Sequence, residues 1–212
     1  MTLRVGINGF GRMGRLTLRA AWDNPELQFV QINDPAGDAA TLAHLLAFDS
    51  VHGRWDRGIT ADGEALVIEG TRIPVTRNKD IAATDWSGCD VVIESSGKFR
   101  KPDVLQPYLD QGVKRVVVTA PVKSPGVLDV VVGVNHHRFD PAHTSGHTAL
   151  TDDLEKPNVA RGFDVGAAAQ FAAGANVQNT HGLAVLLAEQ HHRASLLGAF
   201  NVHHTRFRGG VG

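Results

Sequence analysis

The sequence feature that most constrains the fold is a set of three glycines spaced as Gly9-x-Gly11-x-x-Gly14. They follow a short apolar run, Leu3 to Ile7, that predicts a β-strand, and they precede apolar residues at helical spacing. Glycines at these positions permit a tight turn, let a pyrophosphate approach the backbone and let the helix pack close to the strand. The amides at the helix start, with the positive end of its dipole, favour a phosphate anion. The spacing therefore predicts a dinucleotide-binding βα turn.

A second apolar run, Phe29 to Asn33, predicts a strand that ends at the acidic residue Asp34. Asp34 lies 20 positions after Gly14, where a carboxylate can accept both hydroxyls of an adenosine ribose. Its charge would repel a ribose phosphate, so the pattern favours NAD over NADP. The alternative interpretation is a tight βα turn that binds no ligand and leaves Asp34 in solvent.

The composition of the chain narrows its possible partners and location. The 212 residues carry a formal net charge of −1, which indicates neither a nucleic-acid surface nor a membrane surface. No apolar run approaches the length of about 18 residues that a membrane helix needs, and we expect no secretory signal. The one cysteine, Cys89, cannot form an internal disulfide, which favours a reducing cytoplasm.

Strands and helices alternate along the first two-thirds of the chain. The predicted helices are 12–23, 38–48 and 102–111, and the predicted strands are 3–7, 29–33, 90–97, 113–120 and 127–135. Between residues 54 and 77, turn dipeptides separate short apolar runs, which predicts an antiparallel excursion. We therefore predict an α/β fold: a Rossmann-type doubly wound, mostly parallel sheet with an antiparallel excursion and an irregular or helical carboxy-terminal tail. In such sheets the ligand lies outside the carboxyl ends of the strands.

Several blocks of sequence occur in an order and spacing that are typical of one family. They are Gly-Ile-Asn-Gly-Phe-Gly-Arg-Met-Gly-Arg at residues 6–15, Phe-Asp-Ser-Val-His-Gly at 48–53, Glu-Ser-Ser-Gly-Lys-Phe at 94–99, Thr-Ala-Pro at 119–121 and Gly-Val-Asn-His at 133–136. Together they resemble glyceraldehyde-3-phosphate dehydrogenase across about residues 2–143. Arg19 to Asp23 and Ala43 to Phe48 look closest to bacterial members encoded with arsenic-resistance transporters, which are thought to build an arsenylated phosphoglycerate for export.

The resemblance implies a cofactor site for NAD and a substrate class. The implied NAD-binding residues are Gly9, Phe10, Gly11, Arg12, Met13 and Gly14 at the pyrophosphate turn, Asp34 at the adenosine ribose, Arg77 near the adenine side, and Ser96, Gly97 and Thr119 along the nicotinamide half. The family reaction is the NAD-dependent oxidation and phosphorylation of a small phosphorylated aldehyde, glyceraldehyde 3-phosphate, in glycolysis. Members of the family are homo-oligomers, and the departure described next does not favour that arrangement here.

The region that follows these blocks departs from the family. Soon after the Val-Asn-His block, members carry Ser-Cys-Thr-Thr-Asn-Cys, whose first cysteine is the nucleophile that forms an acyl-thioester. This chain has Thr144 to Asp153 in that region, with no cysteine there or beyond. Cys89 precedes a predicted strand at the end opposite the nucleotide. We therefore predict no catalytic residue and an impaired enzyme.

From Thr144 onward no block of the family's catalytic domain is recognisable. We predict an NAD-binding domain over 1–143 and a divergent tail over 144–212 that is not a catalytic domain. Residues 167–173 and 183–200 have helical propensity. An abrupt departure of this kind suggests a shifted reading frame, and the alternative is a genuine but different segment. Finding Ser-Cys-Thr-Thr-Asn-Cys in neither of the other two frames after codon 143 would overturn the frameshift hypothesis.

The tail also contains histidines that could suggest a metal. His143 and His147 would share a face only in a helix, but Gly146 and the neighbouring Thr and Ser residues favour a loop, so we predict no metal site. Three functions stay open. The first is an NAD-binding relative of the family that has lost catalysis. The second is a dehydrogenase with another acid or base, for which His147 with Asp152 is the local candidate. The third is a non-catalytic nucleotide-sensing or oligomerising module.

Overall fold

The computed structural model describes residues 2–120, 122, 128–130 and 147–150. Strands and helices alternate through most of this range, as the sequence predicts. The helices are α1 Arg12–Ala21, α2 Ala39–Ala47 and α3 Pro102–Asp110. The strands are β1 Leu3–Asn8, β2 Leu27–Asn33, β3 Phe48–Asp49, β4 Gly53–Arg54, β5 Ile59–Asp62, β6 Ala65–Ile68, β7 Thr71–Thr76, β8 Val91–Glu94, β9 Arg115–Val118, β10 Leu128–Val130 and β11 His147–Leu150.

One large sheet holds nine of these strands in the order β10-β11-β9-β8-β1-β2-β7-β6-β5. Neighbours from β10 to β7 pair in parallel, whereas β6 pairs antiparallel with both β7 and β5. The Rossmann-type, mostly parallel sheet with an antiparallel excursion is therefore confirmed. Because the strands run in one direction, the carboxyl ends of β9, β8, β1, β2 and β7 lie along the same edge of the sheet.

Two apolar clusters cover the two faces of the sheet. The first contains α1 and α2 residues such as Leu18 and Leu46, and the second contains Leu105 and Tyr108 of α3. Successive residues of one strand alternate between them: Ile93 belongs to the first cluster and Val92 to the second. Burial on both faces explains why these strands are continuous apolar runs. Helices on both faces make the sheet doubly wound.

The structure differs from the sequence predictions at several element boundaries. Helix α1 ends at Ala21, two residues earlier than predicted, and α2 ends at Ala47 because Phe48 begins the short β3–β4 hairpin. The predicted excursion over residues 54–77 is not antiparallel throughout. Its last strand, β7, pairs in parallel with β2 through Ile32 and Val75. That pairing satisfies backbone groups that would otherwise line an open edge of β2.

The loop predicted around residues 143–147 is wrong where the structure describes it. His147–Leu150 forms β11, which lies between β9 and β10 and pairs in parallel with both. The backbone amides and carbonyls along the edge of β9 need partners, and a strand supplies them where a loop could not. The boundary between residues 143 and 144 stays a prediction. His143 and the helices predicted at 167–173 and 183–200 lie outside the described residues. Within the described residues, no helix has both the length and the apolar character to span a bilayer.

Candidate dinucleotide site

The predicted site residues follow the carboxyl ends of neighbouring strands. At four of these ends, the backbone pairing between neighbouring strands continues for one more residue and fixes where each loop begins. The bonds run from Gly9 N to Asn33 O at 2.8 Å, Asp34 N to Thr76 O at 2.9 Å, Ser95 N to Asn8 O at 2.7 Å and Thr119 N to Glu94 O at 2.9 Å. The loops that contain Gly9, Asp34, Ser96 and Thr119 therefore start side by side at one edge of the sheet.

The three glycines of the turn differ in what surrounds them. Gly9 has a φ of +89°, and a Cβ on it would lie 2.3 Å from the backbone nitrogen of Ser96. A Cβ on Gly14 would lie 2.3 Å from the carbonyl oxygen of Gly9. A Cβ on Gly11 would meet no described atom within 4 Å. Gly9 and Gly14 are thus required by packing of the turn itself, whereas Gly11 borders open space.

Helix α1 begins beside that open space. Gly11 is its N-cap and offers no side chain, and the amide of Arg15 bonds to the Gly11 carbonyl at 3.1 Å. The preceding amides in the first helical turn have no acceptor within the helix. Because these amides and the helix dipole favour an anion, the geometry fits a pyrophosphate approaching Gly11. Met13, in the same turn, is half-buried.

Asp34 is buried and held by the backbone. Its Oδ2 accepts a hydrogen bond from the Phe10 amide at 2.7 Å, and its Oδ1 accepts one from the Ala36 amide at 2.8 Å. The first bond ties the end of β2 to the glycine turn, with the Phe10 side chain buried beneath it. Each carboxylate oxygen has a second lone pair, so both can still accept a ribose hydroxyl.

Arg12 does not lie free in the site. Its guanidinium is 3.5 Å from Asp49 Oδ1 in the β3–β4 hairpin. Asp49 also accepts hydrogen bonds from the amides of His52 and Val51, which hold the pKa of its carboxyl well below the usual range. The structure therefore places Arg12 next to the glycine turn but directs it at a carboxylate.

Arg77 lies on the far side of Asp34 from the glycine turn. It follows β7 and lines a cavity of about 350 Å³ between the carboxyl end of β7 and the start of α2. Asp38, also in the lining, caps α2 by accepting a hydrogen bond from the Thr41 amide at 2.8 Å. The position of Arg77 is compatible with the adenine side of a dinucleotide.

Sequence reasoning missed a set of buried polar side chains directly beneath these loops, which we call the strand-end network. It consists of the side chains of Tyr108, Glu94, Asn8 and Asn33, and it ends at the backbone amide of Asn78. Tyr108 Oη donates to Glu94 Oε2 at 2.6 Å, Asn8 Nδ2 donates to the same oxygen at 2.7 Å, Asn33 Nδ2 donates to Asn8 Oδ1 at 2.8 Å, and the Asn78 amide donates to Asn33 Oδ1 at 2.9 Å. The signal in the sequence that could have indicated this network is the polar residue that ends each of three mostly apolar strands, β1, β2 and β8.

The carboxyl group of Glu94 is at the centre of this network. Glu94 is 1% exposed, and burial raises the pKa of its carboxyl above the usual value. Hydrogen bonds from Ser96, Tyr108 and Asn8 oppose that shift. They supply two donors to each carboxylate oxygen, because the amide and hydroxyl of Ser96 both donate to Oε1. The four donors match the acceptor capacity of a carboxylate.

Cys89 lies away from the site. It precedes β8 at the amino end of the strand, its backbone amide bonds to the Trp86 carbonyl at 2.8 Å, and its thiol is next to Gly6 and the Trp86 ring. Burial raises the pKa of the Cys89 thiol to about 12. A thiol that stays protonated at neutral pH is a poor nucleophile. Among the described residues, no group of three or more His, Cys, Asp and Glu side chains could hold a metal ion.

Cys89 is expected to resist alkylation in the folded chain. Since its pKa is raised to about 12, the reactive thiolate is scarce at neutral pH and increases only as the pH approaches that value. Iodoacetamide at about pH 8 should modify the native chain at least ~100-fold more slowly than the urea-unfolded chain, whose thiol has an ordinary pKa near 8.5. Mass spectrometry of the modified protein measures both rates. Rapid modification of the native chain would contradict the buried placement.

The fold and the site define a class of protein. A doubly wound parallel sheet with a glycine turn, an open helix N-terminus and a fixed acidic residue at the end of β2 is a Rossmann-type dinucleotide-binding domain. Residues 3–102 match the family model described as glyceraldehyde 3-phosphate dehydrogenase, NAD binding domain. The amino-terminal part of this chain is therefore an NAD-binding domain of the glyceraldehyde-3-phosphate dehydrogenase type.

Curated relatives support the same assignment. The chain is similar to glyceraldehyde-3-phosphate dehydrogenase 3 of Nostoc sp., with 52% identity over 143 residues, and to glyceraldehyde-3-phosphate dehydrogenase of Geobacillus stearothermophilus, with 44% identity over 161 residues. It is 43% identical over 157 residues to glyceraldehyde-3-phosphate dehydrogenase 1 of Kluyveromyces lactis. These matches cover 66%, 74% and 73% of this chain but only 42%, 48% and 47% of the respective relatives.

The extent of these matches shows how far along the chain the similarity to the family continues. The chain spans less than half the length of each of the three relatives. The match to the Geobacillus protein covers 74% of this chain, a larger share than residues 1–143 represent, so the similarity extends beyond residue 143. Together with β11, this extension indicates that some residues after 143 continue the sheet.

Proposed function

We propose that the NAD of this domain binds across the carboxyl ends of β9, β8, β1 and β2. The pyrophosphate lies against Gly11 and the first turn of α1, with Gly9, Phe10, Arg12, Met13 and Gly14 forming the turn. Asp34 accepts the adenosine ribose hydroxyls, Arg77 lies on the adenine side, and Ser96, Gly97 and Thr119 line the nicotinamide half. The observation that carries this assignment is the open space at Gly11, next to a carboxylate fixed by two backbone amides.

Asp34→Asn provides the test of the ribose assignment. We expect NAD affinity to fall about tenfold, because the variant loses a charged acceptor, and preference for NAD over NADP to decrease. Calorimetric titrations with both dinucleotides measure the two effects. Asp110→Asn is the matched control, since it makes the same charge change at an exposed residue at the end of α3, where the side chain accepts a hydrogen bond from Gln106 Nε2 at 2.9 Å. Equal NAD affinity in the parent and Asp34→Asn would remove Asp34 from the site.

We infer that the chain binds NAD without oxidising an aldehyde. The resemblance implies a nucleophilic cysteine soon after the Val-Asn-His block. The single cysteine in the sequence, Cys89, does not lie there. That thiol is buried at the amino end of β8, whereas the dinucleotide loops follow the carboxyl ends. The parallel register pairs His147 with Val116, two residues before the carboxyl end of β9, which does not favour His147 as the alternative acid or base.

An absorbance assay for NADH tests this inference directly. The purified 212-residue chain is mixed with glyceraldehyde 3-phosphate, NAD and either phosphate or arsenate. We expect no NADH above the level of a no-protein control, although NAD binds. Turnover that depends on the protein would refute the non-catalytic assignment and reopen the glycolytic or arsenate-related role that the family resemblance suggests.

We also propose that the sequence beyond the region of similarity, which extends past residue 143, reflects a shifted reading frame. Its support is the loss of recognisable family blocks after the Gly-Val-Asn-His block at 133–136. Translating the coding DNA in the other frames tests it. We propose a cytoplasmic location separately, since the buried Cys89 has no internal disulfide partner.

A further inference from the structure

The strand-end network occupies a position that links three of the four loops of the site. Asn8 directly precedes the glycine turn, Asn33 directly precedes Asp34, and Glu94 directly precedes the Ser95–Gly97 turn. Side chains that bond these three residues to one another fix the origins of the three loops relative to one another. The network continues through Tyr108 to helix α3, which covers the opposite face of the sheet from α1.

Glu94 also holds the shape of the loop that follows it. Its Oε1 accepts the Ser96 amide at 2.9 Å and the Ser96 hydroxyl, which bends the chain back over the end of β8. Gly97 follows with a φ of +73°. Ser95 Oγ donates to the Gly9 carbonyl at 2.6 Å, so this loop contacts the glycine turn directly. A shift of the Glu94 carboxylate would therefore move both loops.

Asn33 performs the corresponding role on the adenosine side. Its Oδ1 accepts from the Asn78 amide at 2.9 Å and from the Thr76 hydroxyl at 2.8 Å, while its Nδ2 donates to Asn8 Oδ1. The end of β2 is thus tied both to β1 and to the segment that carries Arg77. Asn33 is 2% exposed, so these bonds are made without competition from solvent.

We propose that Glu94, Asn8 and Asn33 are positioning residues for the dinucleotide, and that Tyr108 anchors them to α3. Glu94 and Tyr108 set the loop on the nicotinamide side, and Asn33 sets Asp34 and the adenosine side. The proposal rests on the NAD site proposed above. It assigns these four side chains a role in affinity that goes beyond burial, although none of them is assigned contact with the cofactor.

The test compares variants that affect opposite ends of the network. Tyr108→Phe keeps the ring but removes the donor to Glu94, and Asn33→Ser removes the amide beside Asp34. Ile68→Val is the control, because it removes one buried methyl group on β6 in register with Thr71, at the opposite end of β7 from the site. NAD and AMP are titrated calorimetrically into each intact variant, and urea midpoints report stability.

We expect Tyr108→Phe to weaken NAD about tenfold and AMP less than about threefold, because AMP lacks the nicotinamide half. Asn33→Ser should weaken both ligands by about the same factor, and Ile68→Val should change neither by more than about twofold. Unchanged NAD affinity in both network variants, with the parent still binding NAD, would overturn the positioning role alone. Failure of the parent to bind NAD would instead overturn the proposed function on which it rests. If Tyr108→Phe does not fold, equal NAD affinity in Asn33→Ser and the parent would overturn the proposal.

Discussion

Replacing Gly9 with alanine is expected to cost about 4 kcal/mol of folding free energy, a large part of the ~5–15 kcal/mol typical of a domain. The residue has a φ of +89°, where a side chain is strained. The new Cβ would also lie 2.3 Å from the nitrogen and 2.4 Å from the Cα of Ser96. These are backbone atoms of the turn that follows the central strand β8, so they cannot rotate away as a side chain could. Urea unfolding followed by tryptophan fluorescence, to which the buried Trp86 contributes, measures the loss.

Gly63→Ala separates the two causes of that loss. Gly63 also has a positive φ, +58°, but a Cβ there would meet no described atom within 4 Å. The control should therefore lose only the cost of backbone strain, about 1 kcal/mol. If Gly9→Ala were no less stable than Gly63→Ala, the close contact between the glycine turn and the Ser95–Gly97 turn would be wrong.

Gly11→Ala should have the opposite consequence: a nearly intact fold and a lost ligand. Its Cβ would project into open space from a residue with a φ of −66°, so the expected cost in stability is about 1 kcal/mol or less, mainly from the poorer N-cap. In the proposed site, the same methyl group would stand where the pyrophosphate approaches the amides of α1. We expect NAD affinity to fall at least about 100-fold, measured by calorimetry.

Gly58→Ala is the matched control for that loss. Gly58 also has open space where a Cβ would lie, but it precedes β5 at the outer edge of the sheet. The control should bind NAD like the parent. Parent-like NAD binding by Gly11→Ala would show that the pyrophosphate does not lie at this turn. The expected results for Gly9→Ala and Gly11→Ala thus distinguish a glycine that packing requires from a glycine that NAD binding requires.

Much of the fold could be predicted from local sequence patterns. The run from Leu3 to Ile7 predicted β1, the glycine spacing predicted the turn into α1, and the helix predicted from residue 38 begins at Ala39 with Asp38 as its cap. These features depend on neighbouring residues, so a short window of sequence contains the information. The position of Asp34 beside the glycine turn follows in the same way from parallel pairing of β1 and β2.

The parts that could not be predicted depend on contacts between distant segments. Tyr108 and Asn8 are separated by 100 residues, and only the order of β8 and β1 with α3 brings them to one carboxylate. The parallel pairing of β7 with β2 and the insertion of β11 beside β9 are likewise set by open strand edges in the assembled sheet. Glycine and threonine near residue 146 favoured a loop locally, but pairing with β9 prevailed at His147–Leu150.

The central claim is that this chain contains a working NAD site built at the carboxyl ends of its parallel strands. Calorimetric titration of NAD into the intact 212-residue chain, with NADP as the comparison ligand, tests it most directly. We expect saturable binding of one NAD per chain and weaker binding of NADP, because the proposed site has Asp34 at the ribose. A chain that unfolds cooperatively in urea but gives no binding heat with NAD at several temperatures would contradict the account.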